Sequence, residues 1–226
     1  MQRLPLPEGT PPALEVWQLS WSAPCAPVDV HGLAPDEAAR ARRYRRPEDG
    51  WRFATTRRAL RRLLGERLGV APATIAFSTG PERKPRVRNA RWHFNVSHAE
   101  GVALVALSPA HAVGVDIERT RADVVTPEIE SLCFTERERA VLAPLSGQAR
   151  LEGFYRHWVA KEAALKALGW GIAQALLRVD ISLRQDGEVG IRVDGAPPVL
   201  ACEVPAPAGC YAALAWSFDA DAAMPA

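Results

Sequence analysis

Two acidic side chains share one face of a short predicted strand. In Gly114-Val115-Asp116-Ile117-Glu118 the acids alternate with aliphatic residues. Because residues two apart on a β-strand point to the same side, Asp116 and Glu118 face together while the aliphatic side chains face a core. Paired carboxylates repel each other unless a cation lies between them. One or two carboxylates, completed by waters and substrate phosphates, suit Mg²⁺. The alternative is an exposed strand face with two solvated acids.

A third acid lies on the predicted inward face of the strongest helical pattern, residues 152–168. An apolar stripe at helical spacing marks that face, and Glu162 falls on it. A buried carboxylate is costly unless something compensates its charge. Lys166 follows four residues later, at ion-pair spacing. Glu162 is therefore either the partner of Lys166 or a third ligand for the cation at Asp116 and Glu118, with Lys166 facing a phosphate.

Composition limits the class of protein. The chain has 226 residues, of which 48% are hydrophobic, and a formal charge of only +2. This predicts one or two domains with a proper core. No apolar run approaches the roughly 20 residues of a membrane-spanning helix, and the first residues lack the apolar segment of a signal peptide. We expect a soluble, cytoplasmic protein. Its scattered cysteines are typical of reduced thiols rather than disulfides or zinc ligands.

The basic residues are distributed unevenly. Arginines are dense between residues 40 and 67, which predicts a solvated charged face or a cluster for a phosphorylated ligand or an acidic partner. Nucleic acid is less favoured, because few aromatic residues are interleaved for base stacking. Lysine is rare, so positions that keep it are candidates for a compact point charge. These positions are Lys84, Lys161 and Lys166.

Two further segments resemble ligand-contacting loops. Pro85 favours an extended conformation for Lys84. Asn95, Ser97 and His98 end a predicted strand over residues 92–98 beside a turn, which is a common place for ligand contacts. For His98 the alternative is a structural histidine.

The coarse secondary structure predicts an α+β fold. Strands are predicted at 14–21, 75–78, 92–98 and 102–107, then four more between 179 and 217. Helices are predicted from residue 35, with a break at Pro47 and Gly50 before a second helix at 51–68, over 128–142 in one or two pieces, and at 152–168. We predict two similar, pseudo-symmetric halves, residues 1–112 and 113–226, each a small antiparallel sheet packed with helices.

Four motifs, taken in order, resemble the Sfp-type 4′-phosphopantetheinyl transferase family. Each is weak alone, and the order and spacing carry the resemblance. The motifs are Lys84-Pro85, Phe94-Asn95-Val96-Ser97-His98, Gly114-Val115-Asp116-Ile117-Glu118, and Trp158-Val159-Ala160-Lys161-Glu162-Ala163-Ala164-Leu165-Lys166.

The resemblance implies a monomer that holds coenzyme A between its two halves. It implies transfer of the phosphopantetheine arm to a serine of an apo acyl or peptidyl carrier protein, with release of adenosine 3′,5′-bisphosphate. Asp116, Glu118 and Glu162 would hold Mg²⁺, or Mn²⁺ in its place, on the pyrophosphate, and Lys166 would neutralise charge there. The implied contacts with the adenosine 3′-phosphate and nearby groups are Arg40, Arg52, Lys84, Pro85, Ser97 and His98.

Several points stay open. The acceptor of the serine proton is Glu162, Glu138 or a metal-bound water. Glu37 stands where relatives carry lysine, and Ala99 departs from the Ser-His-Ser form of the second motif. The alternative functions are a Mg²⁺-dependent phosphohydrolase of nucleotide-like substrates and an RNA-binding module built on residues 40–67.

Overall fold

The computed structural model describes residues 1–21, 28–79, 84–171, 175–184, 188–193 and 195–218. Within these ranges, 3₁₀ turns lie at 72–74, 122–124 and 176–178. The helices are α1 (Pro35–Arg42), α2 (Pro47–Leu68), α3 (Pro127–Cys133), α4 (Glu136–Leu142) and α5 (Gly147–Leu168). The strands are β1 (Gln2–Arg3), β2 (Glu15–Ser20), β3 (Phe77–Thr79), β4 (Pro85–Val87), β5 (His93–Ala99), β6 (Val102–Ser108), β7 (His111–Arg119), β8 (Val179–Leu183), β9 (Glu188–Val193), β10 (Val199–Glu203) and β11 (Cys210–Phe218).

Two antiparallel sheets form the centre of the molecule. The first has the order β1-β2-β6-β5 and the second the order β7-β11-β10-β9-β8, while β3 and β4 form a separate hairpin. Each sheet carries one long helix of 22 residues, and both helices end at a left-handed glycine, Gly69 in the first half and Gly169 in the second. The predicted α+β class with two similar halves is confirmed. The division at residue 112 stays a prediction; β7 begins at His111.

The sheets pack face to face. Buried aliphatic side chains of β2 and β6 meet Val115 and Ile117 of β7 and the inner residues of β11. The outer face of the first sheet packs on α2, through Leu60, Leu63 and Leu64. The alternation predicted for β7 is confirmed, because its aliphatic side chains face the core between the sheets.

Helix α5 lies close to the outer face of the second sheet because small residues line both surfaces. Alanines of α5 pack against Ala213 and Ala215 of β11. Gly114 of β7 is the closest point, since a Cβ there would overlap the Ala163 carbonyl oxygen and the Ala167 nitrogen. Glycine at this position therefore brings α5 against β7 beside Asp116.

Some predicted boundaries were wrong. The two predicted helices are present, but the break between them lies at 43–46, and Pro47 is in the first turn of α2, where its missing N–H costs nothing. Gly50 is buried inside α2, where it faces α1. Glycine is required there because a Cβ would overlap the Ala41 carbonyl oxygen of α1. Helix α5 begins at Gly147, earlier than predicted.

Cys133, Cys202 and Cys210 are free and buried, and Cys25 lies outside the described residues. Within the described ranges, none of the helices combines the length and the apolar composition needed to cross a bilayer.

Candidate active site

Asp116 is the centre of a polar cluster where the two halves meet. Its side chain is buried on the α5 side of β7. Asp116 Oδ1 accepts hydrogen bonds from Ser97 Oγ at 2.7 Å and from Lys166 Nζ at 2.6 Å. Ser97 belongs to β5 of the first half and Lys166 to α5 of the second. One carboxylate oxygen therefore joins three elements that are distant along the chain.

The two other predicted acids lie around the same lysine. Glu162 Oε2 is 3.4 Å from Lys166 Nζ, one helical turn away on α5. Burial, followed by the charge of Asp116, raises the pKa of Glu162 to about 7. Burial and Asp116 also raise the pKa of Glu118, while the Trp158 indole donates a hydrogen bond that opposes this shift. The charges of the three acids therefore repel one another, with Lys166 as the shared counter-charge.

Lys166 remains a cation in this setting. Burial disfavours its charged form, but Asp116 and Glu162 outweigh burial and raise the pKa of Lys166. The sequence left open whether Lys166 pairs with Glu162. The two side chains do form an ion pair, and Lys166 also contacts Asp116.

A metal ion requires its own test against these residues. In the described ranges, no three His, Cys, Asp or Glu side chains are arranged to hold a metal ion together. However, Asp116 Oδ2 is buried and has no hydrogen-bond partner among the described residues. Mg²⁺ commonly takes only one or two protein carboxylates and fills its shell with waters and phosphates. An unpartnered carboxylate oxygen beside two repelling acids fits such an ion.

The predicted phosphate contacts fall into separate places. His98 lies next to Ser97 on β5 but points to the opposite face of that strand, toward the α2 side. Partial desolvation, followed by the positive charge of Arg52, lowers the pKa of His98. Arg52 also pairs with Asp49 at 3.2 Å. The structure thus brings Arg52 to His98, whereas Arg40 stacks on Phe53, with its guanidinium carbon 4.7 Å from the ring centroid.

Lys84 connects the halves through backbone carbonyls. Its Nζ donates to Val113 O at 2.9 Å, Lys166 O at 2.5 Å and Ala167 O at 3.3 Å. The last two are carbonyls of the final turn of α5, where a cation is favourable. Lys84 and Pro85 also line a cavity of about 560 Å³ with Trp92 and Trp170, and Asp116 is not among the described residues that line it.

Glu138 does not belong to the cluster at Asp116. Its carboxylate is fully buried and accepts from Lys161 Nζ at 2.7 Å, from Thr135 N at 2.7 Å and from Ile181 N at 2.8 Å. Thr135 and Glu138 also form a capping box at the start of α4. With both oxygens engaged in structural contacts, Glu138 is not placed to take a proton from a substrate at Asp116.

Comparison with known proteins identifies the family. Residues 112–211 match the 4′-phosphopantetheinyl transferase superfamily. A putative 4′-phosphopantetheinyl transferase of Synechocystis sp. is 37% identical over 172 residues, which cover 74% of this chain and 70% of the relative. The chain belongs to the 4′-phosphopantetheinyl transferase superfamily. The predicted family and enzyme class are therefore confirmed.

Two further proteins are similar to this chain. The 4′-phosphopantetheinyl transferase Sfp of Bacillus subtilis is 27% identical over 162 residues, 71% of each chain. A crystal structure of a holo-(acyl-carrier-protein) synthase from Bacillus anthracis, in complex with CoA (3′,5′-ADP), aligns with a TM-score of 0.44 and 22% identity, covering 49% of this chain and 99% of that one.

Two side-chain contacts at the site were not predicted from the sequence. Asn95 Oδ1 accepts a hydrogen bond from Val115 N at 2.9 Å, and Trp158 donates to Glu118. Both lie within motifs, Asn95 two residues before Ser97 and Trp158 four before Glu162, at strand and helix spacings that place each pair on one face. That spacing was the available signal.

Proposed function

We propose that this chain transfers the 4′-phosphopantetheine group from coenzyme A to a serine hydroxyl of an apo carrier protein, in a reaction that requires Mg²⁺. The observation that carries the proposal is the sharing of Asp116 Oδ1 by Ser97 and Lys166. It places a buried acid, a cation and a hydroxyl from both halves at one point. A pyrophosphate needs such positioning and charge neutralisation.

Asp116, Glu118 and Glu162 are the residues that would hold the divalent ion. Their mutual repulsion and the unpartnered Asp116 Oδ2 support this assignment. When bound, Mg²⁺ stabilises negative charge on phosphate oxygens. Mn²⁺ accepts the same oxygen donors and would replace it.

Lys166 would neutralise charge on the pyrophosphate. It is a cation already held beside the acids, at 2.6 Å from Asp116 and 3.4 Å from Glu162. A flexible four-carbon stem lets an ammonium follow negative charge as it develops on a leaving group. Transfer of Lys166 from Glu162 to a phosphate oxygen would also free the Glu162 carboxylate.

We propose that the Glu162 carboxylate accepts the proton of the serine hydroxyl of the carrier protein. In the transfer, the serine oxygen bonds to the β-phosphorus, the bond from that phosphorus to the bridging oxygen breaks, and adenosine 3′,5′-bisphosphate leaves. The hydroxyl proton passes to the Glu162 carboxylate. Glu162 lies inside the cluster, 3.4 Å from Lys166 Nζ, and a general base must lie within reach of the proton that it takes. The buried contacts of Glu138 leave Glu162 as the better placed acid.

The adenosine 3′-phosphate would lie near Arg52 and His98. The positive charge of Arg52 contributes to the lowered pKa of His98. The Arg52 side chain is about one-third exposed. A guanidinium and an imidazole both donate hydrogen bonds to phosphate oxygens. Arg40, Lys84 and Pro85 stay proposed contacts of the same nucleotide end, and the exposed arginines between residues 40 and 67 would steer an acidic carrier protein.

Incubation with coenzyme A, Mg²⁺ and a panel of apo carrier proteins tests the proposal, with intact-mass detection. We expect at least one carrier to gain one phosphopantetheine on its serine, and a serine-to-alanine carrier to gain none. Release of bisphosphate from coenzyme A without any carrier would instead identify a phosphohydrolase. Steeply salt-dependent RNA binding without transfer would identify the RNA-binding alternative.

A further inference from the structure

The outer edge of β7 is closed by side chains instead of by another strand. β7 is the edge strand of the second sheet and pairs with β11 on its other side. An edge strand presents a row of unpaired backbone groups. At β7 these groups are buried against the first half, where an unpaired N–H or C=O is costly.

Three side chains of the first half satisfy this edge at alternate residues. Lys84 Nζ donates to Val113 O at 2.9 Å. Asn95 Oδ1 accepts from Val115 N at 2.9 Å, and Ser97 Oγ accepts from Ile117 N at 3.4 Å. The two-residue step from Asn95 to Ser97 matches the step from Val115 to Ile117, so β5 runs parallel to β7 in a fixed register.

This register determines where Asp116 lies. Asp116 is the residue between the two anchored amides, and its side chain meets Ser97 on one side and Lys166 on the other. The same strand, β5, carries His98, whose pKa is lowered in part by the positive charge of Arg52. A slip of β5 along β7 would therefore move the acid cluster relative to both the Ser97 hydroxyl and the Arg52–His98 pair.

We propose that Asn95 is a positioning residue, whose amide oxygen fixes the register of β5 against β7 and so places Asp116 between Ser97 and Lys166. An amide suits this place because it accepts a hydrogen bond without adding charge. A carboxylate would keep the acceptor but add a fourth acid to three that already repel one another. Only the kinetic measurement of this inference rests on the proposed function. The structural measurements do not depend on it.

The test compares Asn95→Leu, which has similar volume and no acceptor, with Asn95→Asp, which keeps the acceptor. The control is Gln18→Met on β2, because Gln18 bonds to Ser20 within its own sheet. The readouts are hydrogen exchange of the Val115 amide, the thermal midpoint, and kcat and KM for coenzyme A at saturating Mg²⁺.

We expect Asn95→Leu to speed exchange of the Val115 amide about tenfold, as for one lost buried hydrogen bond, and to lower kcat by a factor greater than its loss of folded protein. Asn95→Asp should keep the protection of Val115 and lose less of kcat than Asn95→Leu, with the remaining loss due to its added charge, and the control should match wild type. Unchanged Val115 exchange in Asn95→Leu would overturn the proposal even if wild type transferred nothing. Equal loss of kcat in both Asn95 variants, with Val115 still protected, would also overturn it.

Discussion

Lys166 Nζ lies 2.6 Å from Asp116 Oδ1, although 50 residues separate them in the chain. The contact joins the last turns of α5 to the middle of β7. Because Glu162 is one helical turn before Lys166, the same approach brings a second acid to the cluster. The site therefore depends on how closely α5 can lie on β7, and this distance is set by small residues and not by the polar groups themselves.

Gly114→Ala should disrupt that approach. A methyl group at residue 114 would overlap backbone atoms of Ala163 and Ala167, which cannot rotate away. We expect a loss of ~2 kcal/mol or more in the free energy of unfolding, as for other overpacked core positions, and a larger proportional loss of transfer activity. Urea denaturation and carrier modification measure the two effects.

A matched control is Gly153→Ala in α5. There the added methyl would meet only side-chain ends of Leu142 and Leu145, which can move. Its stability should stay within about 1 kcal/mol of wild type. If Gly114→Ala behaves like this control, close approach of α5 does not depend on the glycine.

The buried pair of Lys161 and Glu138 should act on stability and not on chemistry. Lys161 Nζ also donates to Cys133 O at 3.0 Å and Leu176 O at 2.9 Å, so it ties α3, α4 and the turn at 176–178 to α5. Lys161→Met leaves a buried carboxylate without its cation and should destabilise the fold by ~3–5 kcal/mol. Adding Glu138→Gln removes that charge and should recover part of the loss.

Activity per folded molecule distinguishes the two roles of Glu138. The double variant should transfer at a rate close to wild type once its folded fraction is taken into account. A drop of about 100-fold or more in a double variant that is fully folded would show that Glu138 takes the proton after all.

Mg²⁺ should stabilise the protein more at high pH than at low pH. The pKa of Glu162 is raised from its ordinary 4.5 to about 7, so the folded state holds a proton that the unfolded state releases between these values. The charged acid therefore destabilises the metal-free fold progressively as pH rises through this window, by on the order of 3 kcal/mol above pH 7. A divalent ion offsets that repulsion only where Glu162 is ionised, since metal and proton compete.

Thermal denaturation at pH 5 and pH 8, with and without Mg²⁺, measures this effect. Wild type should gain stability from Mg²⁺ mainly at pH 8. Glu162→Gln should be the more stable chain without metal at pH 8 and should gain little from Mg²⁺ at either pH. The exposed Glu66→Gln should follow wild type. An equal Mg²⁺ effect at both pH values in wild type would contradict the placement of the ion beside Glu162.

Arg52→Ala should weaken the use of coenzyme A through its 3′-phosphate. Loss of a charge-assisted contact raises KM for coenzyme A by about tenfold or more, while the effect on dephospho-coenzyme A, which lacks that phosphate, should be small. Arg62→Ala is the control, because Arg62 is exposed on the same helix and pairs with Glu66. If Arg52→Ala raises both KM values equally, Arg52 does not contact the 3′-phosphate.

Local patterns sufficed for much of this fold. Alternation in β7 predicted which side chains face the core, helical spacing predicted burial of Glu162, and the predicted ends of the two long helices at 68 and 168 were right. These features depend on residues within a few positions of one another. The acids could therefore be assigned to faces before their neighbours were known.

Contacts between distant segments could not be predicted in this way. The pairing of Lys161 with Glu138 spans 23 residues and leaves no local spacing to detect. Gly50 resembled a helix break because the contact that requires glycine there is with Ala41, which lies in another helix. The local sequence around Gly50 does not show that contact. The hydrogen bond from Val115 to Asn95 depends on how two sheet edges meet, which neither strand encodes alone.

The rate of carrier modification by Asp116→Asn tests the central claim most directly. The amide keeps an acceptor for Ser97, and Glu162 still pairs with Lys166, so the variant should remain folded. At saturating coenzyme A and Mg²⁺, intact-mass measurement should show transfer reduced by at least about 100-fold. A folded Asp116→Asn protein that modifies its carrier at nearly the wild-type rate would contradict the assignment of Asp116 as the centre of the active site.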